Sequence, residues 1–249
     1  MARYFIELAY NGSGYSGWQL QPNAPSVQAD LNRALTLLLK QESFTTGAGR
    51  TDAGVHASFF VAHFDTPRPL ASLDTLVRQL NGILGKQIAI RAIYPVIDEA
   101  HARFSALSRT YTYHLAKEKD PFTYPFALRV RPLPDPRRMN EAASLLLENE
   151  DFTSFARLHS GAKTNRCRVL KASWEERDDQ LVFTIQSDRF LRNMVRAIVG
   201  TLLLVGQGKA SIEEFRRVIE AKDRCKAGSS APGHALFLRA IEYPCNIKK

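Results

Sequence analysis

The chain has 249 residues, 45% hydrophobic and 24% charged, which is typical of a globular protein that buries a substantial core. This composition excludes a disordered chain. The first residues lack the charged segment followed by an apolar one that is typical of a signal peptide, so we expect none. The longest apolar run, residues 197–206, has about half the length that a membrane-spanning helix needs. We therefore expect a soluble, cytoplasmic protein without a membrane segment.

The chain is strongly basic, with 34 Lys and Arg against 25 Asp and Glu and a net charge of +9. The basic residues cluster within residues 129–138, 157–171 and 189–196. The planar guanidinium of Arg suits bidentate contact with phosphate. Charge and clustering together favour a polyanionic partner, in the simplest case a nucleic acid, over a generic solubilising surface.

Cysteine and histidine spacing predicts neither a disulfide framework nor a metal site. The three cysteines, Cys167, Cys225 and Cys245, are far apart and form no C-x-x-C pair. The six histidines show no H-x-x-x-H or H-E-x-x-H spacing.

The first half of the chain predicts the element order β-α-β-β-α-β. β-Branched and aromatic residues indicate a strand at 3–10, and Ser26 precedes a helix whose apolar residues recur at helical spacing. Short apolar runs predict further strands near 44–46, at 58–64 and at 88–94, with a helix over 73–84 behind Ser72.

The second half repeats this order. It predicts a strand at 110–116, a helix over 136–147, a hairpin of 169–175 and 181–186, a helix over 193–205 and a strand at 236–243. An extra helix begins at Ser211, where Ser211 and Glu214 have the spacing of a capping box. We therefore expect an α+β fold of two tandem ferredoxin-like (RRM-like) halves, residues 1–97 and 108–249, joined by a hinge at 97–108.

Residues 12–17, GSGYSG, match the dinucleotide-binding pattern G-x-G-x-x-G but lack its context. That pattern must open a helix, which Pro22 and Pro25 oppose here. We interpret residues 11–25 as a flexible or ligand-closing loop, in which Tyr15 and Trp18 either stack on a ligand or pack against the protein.

Residues 47–57, GAGRTDAGVHA, surround one carboxylate with glycine and alanine. In an extended backbone Arg50 and Asp52 point to the same side, so that both can contact one ligand. No second carboxylate follows until Asp65, and a paired-carboxylate hydrolase is therefore not indicated. A lone aspartate can act as a nucleophile or as a base; the alternative is a turn residue or a helix cap pinned by Arg50.

The block GRTDAGVHA resembles the signature of the tRNA pseudouridine synthase A (TruA) family, in which this aspartate is the catalytic residue. The opening YFIELAYNGSGYSGWQLQP is similar to that family, as are HARFSALSRTYTY, DFTSFA, RFLRNMVRAIVG and AKDR, in the same order. These blocks run from residue 4 to residue 244. One block departs, because ALFL stands at 235–238 where the family usually has a Gly-Leu-Tyr-Leu-like strand.

The resemblance implies two α/β halves with the catalytic cleft between them, a homodimer, and no metal or organic cofactor. Its substrate would be the anticodon stem-loop of tRNA, where uridine becomes pseudouridine at three adjacent positions on the 3′ side. Asp52 would be the catalytic carboxylate and Arg196 the cation paired with it. Tyr111 would stack on the target base, Arg50 would take part in base flipping, and Leu236 would line an apolar pocket wall.

The residues alone leave alternatives at each of these positions. Arg189, Arg192 and Arg196 are spaced three and four apart, which predicts one face of a helix, either solvated or in contact with phosphates. Alternation puts Tyr111 and Tyr113 on the same face of a strand and does not choose between them. A lone leucine such as Leu236 is ordinarily a core residue.

Two other classes of protein compete with the synthase. One is a non-catalytic RNA-binding protein with two RRM-like sheets, but the aromatic octamer of such sheets is missing. The other is a carboxylate-dependent hydrolase of a phosphorylated metabolite, which would need a metal cluster or a pair of acids.

Overall fold

The structure, a computed structural model, describes residues 1–157 and 163–249. The chain divides into two compact units, one formed by Met1–Leu107 with Leu238–Lys249 and the other by Ser108–Phe237. The fold is α+β, with mostly antiparallel strand pairs and, in the described residues, five α-helices. Within the same ranges, no helix is both long and apolar enough to cross a membrane.

The first unit follows the element order that the sequence predicts. Its elements are β1 (Ala2–Tyr10), α1 (Val27–Leu39), β2 (Thr46–Gly47), β3 (His56–Thr66), α2 (Leu73–Ile83) and β4 (Ile88–Pro95). The strands lie in the order β4-β1-β3, antiparallel in each pair, and β2 also pairs with β3. The last strand, β9 (Leu236–Glu242), hydrogen-bonds to β3 on its other edge, with its residues from Leu238 onward in this unit.

Both helices of the first unit begin at the predicted serine caps. The Ser26 hydroxyl accepts a hydrogen bond from the Ala29 N–H, and the Ser72 hydroxyl accepts one from the Thr75 N–H. A serine cap stabilises a helix by about 1 kcal/mol because it satisfies a donor that has no partner within the helix. The helical spacing of Val27, Leu31 and Leu35 buries one side of α1.

Arg3 on β1 ties the segment after β4 to the sheet. Its guanidinium donates two hydrogen bonds of 2.8 Å to the Asp65 carboxylate and one of 2.9 Å to the Ala100 carbonyl. The hydrogen bonds from Arg3 lower the pKa of Asp65. Part of the segment that the sequence predicts as a hinge, 97–108, is therefore fixed to the first unit.

His63 and Tyr243 fix the same segment two residues further on. The buried His63 accepts a hydrogen bond of 3.1 Å at Nδ1 from the Ala102 N–H. The Tyr243 hydroxyl donates one of 2.5 Å to the Ala102 carbonyl. Both polar groups of Ala102 are thus satisfied by side chains of the first unit.

Apart from residues 158–162, the second unit contains four further strands and three α-helices. Its elements are β5 (Ser108–Ala116), β6 (Leu128–Arg129), α3 (Pro136–Ser144), β7 (Val169–Arg177), β8 (Gln180–Ser187), α4 (Met194–Gly206) and α5 (Ile212–Ala221). β5, β8 and β7 pair antiparallel in that order, and β6 pairs parallel with β5. The predicted capping box is confirmed, because Ser211 and Glu214 exchange hydrogen bonds at the start of α5.

Two helix predictions in this unit need correction. The helix predicted over 136–147 ends at Ser144, and a 3-10 turn, Leu145–Glu148, replaces its last turn. α4 begins at Met194, after Asn193 with φ of 66°, so Arg189 and Arg192 do not share a helix face with Arg196. A left-handed residue interrupts helical geometry, and spacing of three and four does not reveal it.

We predict that part of the folding stability is lost as the pH falls from about 6.5 toward 4, because of His63. Burial, and next the charge of Arg3, lower the pKa of His63 from 6.5 to about 4. Between these values the unfolded chain binds a proton that the folded chain does not, so the stabilisation is complete above the upper value and lost toward the lower one. The shift corresponds to roughly 3 kcal/mol.

Urea denaturation across this pH range measures the effect. His63→Gln keeps an acceptor for the Ala102 N–H but does not titrate, so its free energy of unfolding should fall less steeply with decreasing pH. Equal slopes for the wild type and the variant would contradict the role of His63.

Candidate active site

Asp52 lies in the loop between β2 and β3, in the first unit. Its side chain is partly exposed, and Arg50 in the same loop is exposed. The Val55 N–H donates a hydrogen bond of 3.2 Å to the Asp52 carbonyl, closing a turn in which Gly54 has φ of 74°. Such a backbone favours glycine. The sequence GRTDAG therefore presents Asp52 at the start of a tight turn.

The loop at residues 12–17 lies directly against this turn. A Cβ at Gly12 would clash with the Val55 carbonyl, and a Cβ at Gly17 would clash with the Thr51 carbonyl. The Gly54 N–H also donates a hydrogen bond of 3.2 Å to the Tyr15 carbonyl. Backbone contact with the Asp52 loop thus explains two of the three glycines in G-x-G-x-x-G.

Thr51, next to Asp52, joins that loop to the core. Its hydroxyl accepts a hydrogen bond of 3.1 Å from the Trp18 N–H and lies 2.9 Å from the Tyr10 hydroxyl. Thr51 is buried, so these bonds are shielded from water. The predicted site residues do not include Thr51. Its position in the family-like block GRTDAG is the one sequence feature that points to it.

Trp18 is packed in the core, which favours the alternative in which it does not stack on a ligand, and the partly exposed Tyr15 is bonded to α1 through its hydroxyl. The Trp18 side chain is 1% exposed, with its ring centroid 4.2 Å from that of Phe60. The Tyr15 hydroxyl donates a hydrogen bond of 2.8 Å to Asp30, and burial together with this bond raises the pKa of Tyr15 to about 12.

His56 is likewise structural. It is buried, and its Nδ1 accepts a hydrogen bond of 3.0 Å from the Gly12 N–H. This bond fixes the start of the 12–17 loop to the first residue of β3.

In the second unit the structure distinguishes Tyr111 from Tyr113. Tyr113 is fully buried and donates a hydrogen bond of 3.0 Å to the Pro232 carbonyl, so it belongs to the core. Tyr111 stays partly exposed, with its ring edge-on to that of Phe190 at 5.1 Å. Of the two, Tyr111 has the ring surface that a base can reach.

Arg196, on the first turn of α4, is held by main chain of its own unit. Its Nε donates a hydrogen bond of 2.7 Å to the Ala231 carbonyl, and the Ala231 N–H donates one of 2.9 Å to the Arg196 carbonyl. The side chain is partly exposed. This pair of bonds fixes the direction in which the guanidinium leaves the helix.

Leu236 begins β9 and is 4% exposed. Burial agrees with the alternative of an ordinary core residue. Of the five site residues that the resemblance indicates, Arg50 and Asp52 belong to the first unit, and Tyr111, Arg196 and Leu236 to the second. Within residues 1–157 and 163–249, no group of three or more His, Cys, Asp or Glu side chains is arranged to hold a metal ion.

Comparison with known proteins identifies the family. A family model described as tRNA pseudouridine synthase matches residues 142–244. A protein of Parabacteroides distasonis named tRNA pseudouridine synthase A is 53% identical, over 98% of this chain and 97% of its own. A protein of the same name from Porphyromonas gingivalis is 54% identical over 99% of both chains, and one from Bacillus subtilis 38% identical over 95% and 97%.

These matches extend over nearly the whole chain, at 53% and 54% identity in the first two relatives. The chain therefore belongs to the tRNA pseudouridine synthase A family.

Proposed function

We infer that the protein is an isomerase that converts uridine into pseudouridine in tRNA. The observation that carries this inference is its identity of 53% and 54%, over at least 98% of the chain, to proteins named tRNA pseudouridine synthase A. The net charge of +9 suits a polyanionic substrate. The synthase is better supported than a non-catalytic RNA-binding protein or a hydrolase, because these relatives carry the name tRNA pseudouridine synthase A.

The reaction rearranges one nucleotide without adding atoms. The bond between ribose C1′ and uracil N1 breaks, the base turns, and a bond forms between C1′ and C5. The hydrogen on C5 leaves as a proton, and N1 gains one. Atoms and electrons balance without an oxidant, a reductant or a group donor.

We propose Asp52 as the one catalytic carboxylate of this reaction, acting as nucleophile or as base. Its family-like block supports this role, as does its place in the structure. The side chain is partly exposed, so a substrate can reach it, while the backbone on both sides is fixed by Thr51, Gly54 and Val55. A catalytic group needs such a fixed position.

The other roles follow the resemblance. Arg196 supplies a positive charge, which favours the ionised form of a carboxylate in a site shielded from water. The hydrogen bond from its Nε to the Ala231 carbonyl already orients its guanidinium. Tyr111 stacks on the target base with its exposed ring surface, and the exposed Arg50 takes part in base flipping. Leu236 has the weakest support, because burial alone also describes a core leucine.

We extend the proposal to the finer points that the resemblance implies. The substrate site is the 3′ side of the anticodon stem-loop, recognised by shape and phosphate contact more than by base sequence. The protein acts as a homodimer in the cytoplasm, needs no metal or organic cofactor, and is built of tandem ferredoxin-like halves.

Tritium release from tRNA is the first test. Transcripts labelled with tritium at uracil C5 should lose tritium to water on incubation with the protein, since bond formation at C5 expels that hydrogen. Asp52→Asn should reduce the rate by at least about 1,000-fold and leave tRNA affinity within about threefold of the wild type. Release by the variant at the wild-type rate would exclude Asp52, and no release by the wild type, with tRNA bound, would favour a binding protein.

Two glycines of the 12–17 loop test whether backbone contact positions Asp52. Gly17 and Gly14 have φ of 104° and 84°, so alanine strains the backbone at both. Only at Gly17 does the added Cβ clash, with the carbonyl of Thr51. Gly17→Ala should therefore release tritium at least about tenfold more slowly than the matched control Gly14→Ala. Equal rates would show that this contact does not position the carboxylate.

Salt dependence of binding tests the electrostatic part of the proposal. Between about 50 and 200 mM salt, tRNA affinity should fall by more than about 100-fold, because bound phosphates release counterions. The exposed Arg137 and Arg138 lie within the first basic cluster, and replacing both with Gln should reduce the slope of log affinity against log salt by about one to two. Binding that is insensitive to salt would refute this part.

A further inference from the structure

One stretch of main chain, residues 227–231, packs directly on α4. The Ser229 carbonyl lies so close to Gly200 on α4 that a Cβ at this position would clash with it. The Gly228 N–H donates a hydrogen bond of 3.0 Å to the Thr201 hydroxyl. The stretch reaches Arg196 at Ala231, through the two hydrogen bonds described above. The acceptor that orients Arg196 is therefore a carbonyl of an irregular segment, and its position depends on what fixes that segment.

The side chain of Arg224 fixes the segment 227–231 at the end away from Ala231. Its guanidinium donates a hydrogen bond of 2.9 Å to the Ser230 hydroxyl and others of 3.2 and 3.4 Å to the carbonyls of Gly228 and Ala227. The charge of Arg224 strengthens each of these bonds. One half-buried arginine thus binds three residues of the segment that ends at Ala231, namely Ala227, Gly228 and Ser230.

Ser230 connects this anchor to the start of α4. Its hydroxyl also accepts a hydrogen bond of 2.6 Å from Nδ2 of Asn193, the residue with φ of 66° that precedes the helix. Ser230 and Ala231 are adjacent, and Asn193 and Arg196 lie within one turn. The segment and the start of the helix are therefore joined at two neighbouring points, with Arg224 bound to the first of them.

We propose that Arg224 is a positioning residue, which acts by holding the Ala231 carbonyl where it receives the Nε–H of Arg196. This inference rests on the proposed function, since it gives Arg196 a part in the reaction. With Nε bound to Ala231, the terminal nitrogens of Arg196 point in a fixed direction. Without Arg224, the carbonyl moves and the guanidinium samples other directions at the cost of catalysis.

The first measurement needs no activity. The Nε–H of Arg196 is followed by NMR on ¹⁵N-labelled protein and identified by its loss in Arg196→Lys. In Arg224→Gln its exchange with water should be at least about tenfold faster than in the wild type, because the hydrogen bond to Ala231 is populated less. Arg217→Gln, an exposed arginine on α5, is the matched control and should leave the exchange unchanged.

The second measurement separates chemistry from binding. The single-turnover rate of tritium release should fall about 10- to 100-fold in Arg224→Gln, while the dissociation constant for tRNA stays within about threefold. Ser230→Ala removes one hydroxyl and should lower the rate in the same way but less. This variant keeps the test available if Arg224→Gln does not fold.

The outcomes distinguish a failure of the positioning role of Arg224 from a failure of the proposed function. Unchanged exchange of the Arg196 Nε–H in both variants would overturn the positioning role, as would equal losses of rate and of tRNA affinity, which a general loosening of the unit would cause. No tritium release by the wild type would instead overturn the proposed function, and the exchange measurement would still report on the contact.

Discussion

Direct contact between two stretches of backbone fixes the loop that carries Asp52. Gly12 and Gly17 let the 12–17 loop lie on the main chain of Thr51 and Val55 with no side chain between them. Backbone in such contact cannot shift without breaking hydrogen bonds or creating overlaps. Through Thr51 and Tyr10, the loop also shares the rigidity of β1. The backbone that carries the partly exposed Asp52 is thereby fixed on both sides.

The second unit uses the same device around Arg196. Gly200 allows the segment 227–231 to lie on α4, and a carbonyl of that segment holds the guanidinium. In both units, glycine removes the side chain that would separate two main chains, and a residue for which we propose a catalytic role, Asp52 or Arg196, lies at the edge of the contact. Preorganised charge of this kind stabilises a transition state without the energetic cost of reorganising during the reaction.

Local signals were sufficient for most helices and strands. The caps at Ser26, Ser72 and Ser211 were predictable because each bonds within its own first turn. The start of α4 agrees with the predicted helix over 193–205 to within one residue. Spacing did not reveal, however, that the left-handed Asn193 excludes Arg189 and Arg192 from that helix. Features that depend on residues near in sequence were predictable from the sequence, and features that depend on tertiary contacts were not.

The site residues divide in the same way. A family-like block indicated Asp52 without any structure, but the hydroxyl of Thr51 that supports it has partners on β1 and at Trp18, far away in sequence. Tyr111 and Tyr113 are equivalent by alternation, and only the bond from Tyr113 to Pro232 places one in the core. The role proposed for Arg224 depends on hydrogen bonds to two carbonyls and to the Ser230 hydroxyl, and residue types alone do not predict such tertiary contacts.

The membership of β9 in the first unit has a consequence for folding during synthesis. Its residues from Leu238 onward, with Tyr243 bonded to Ala102, complete a unit whose other strands are made from the first 107 residues. The ribosome adds residues at about 5–20 per second, so the edge of β3 waits on the order of 10–30 s for its partner while the whole second unit is translated. An unpaired strand edge is open to wrong pairing during that delay, and contacts of such long sequence separation form slowly. Until the last strand emerges, the short β2 can cover only the part of β3 with which it pairs, at His63 and Ala62.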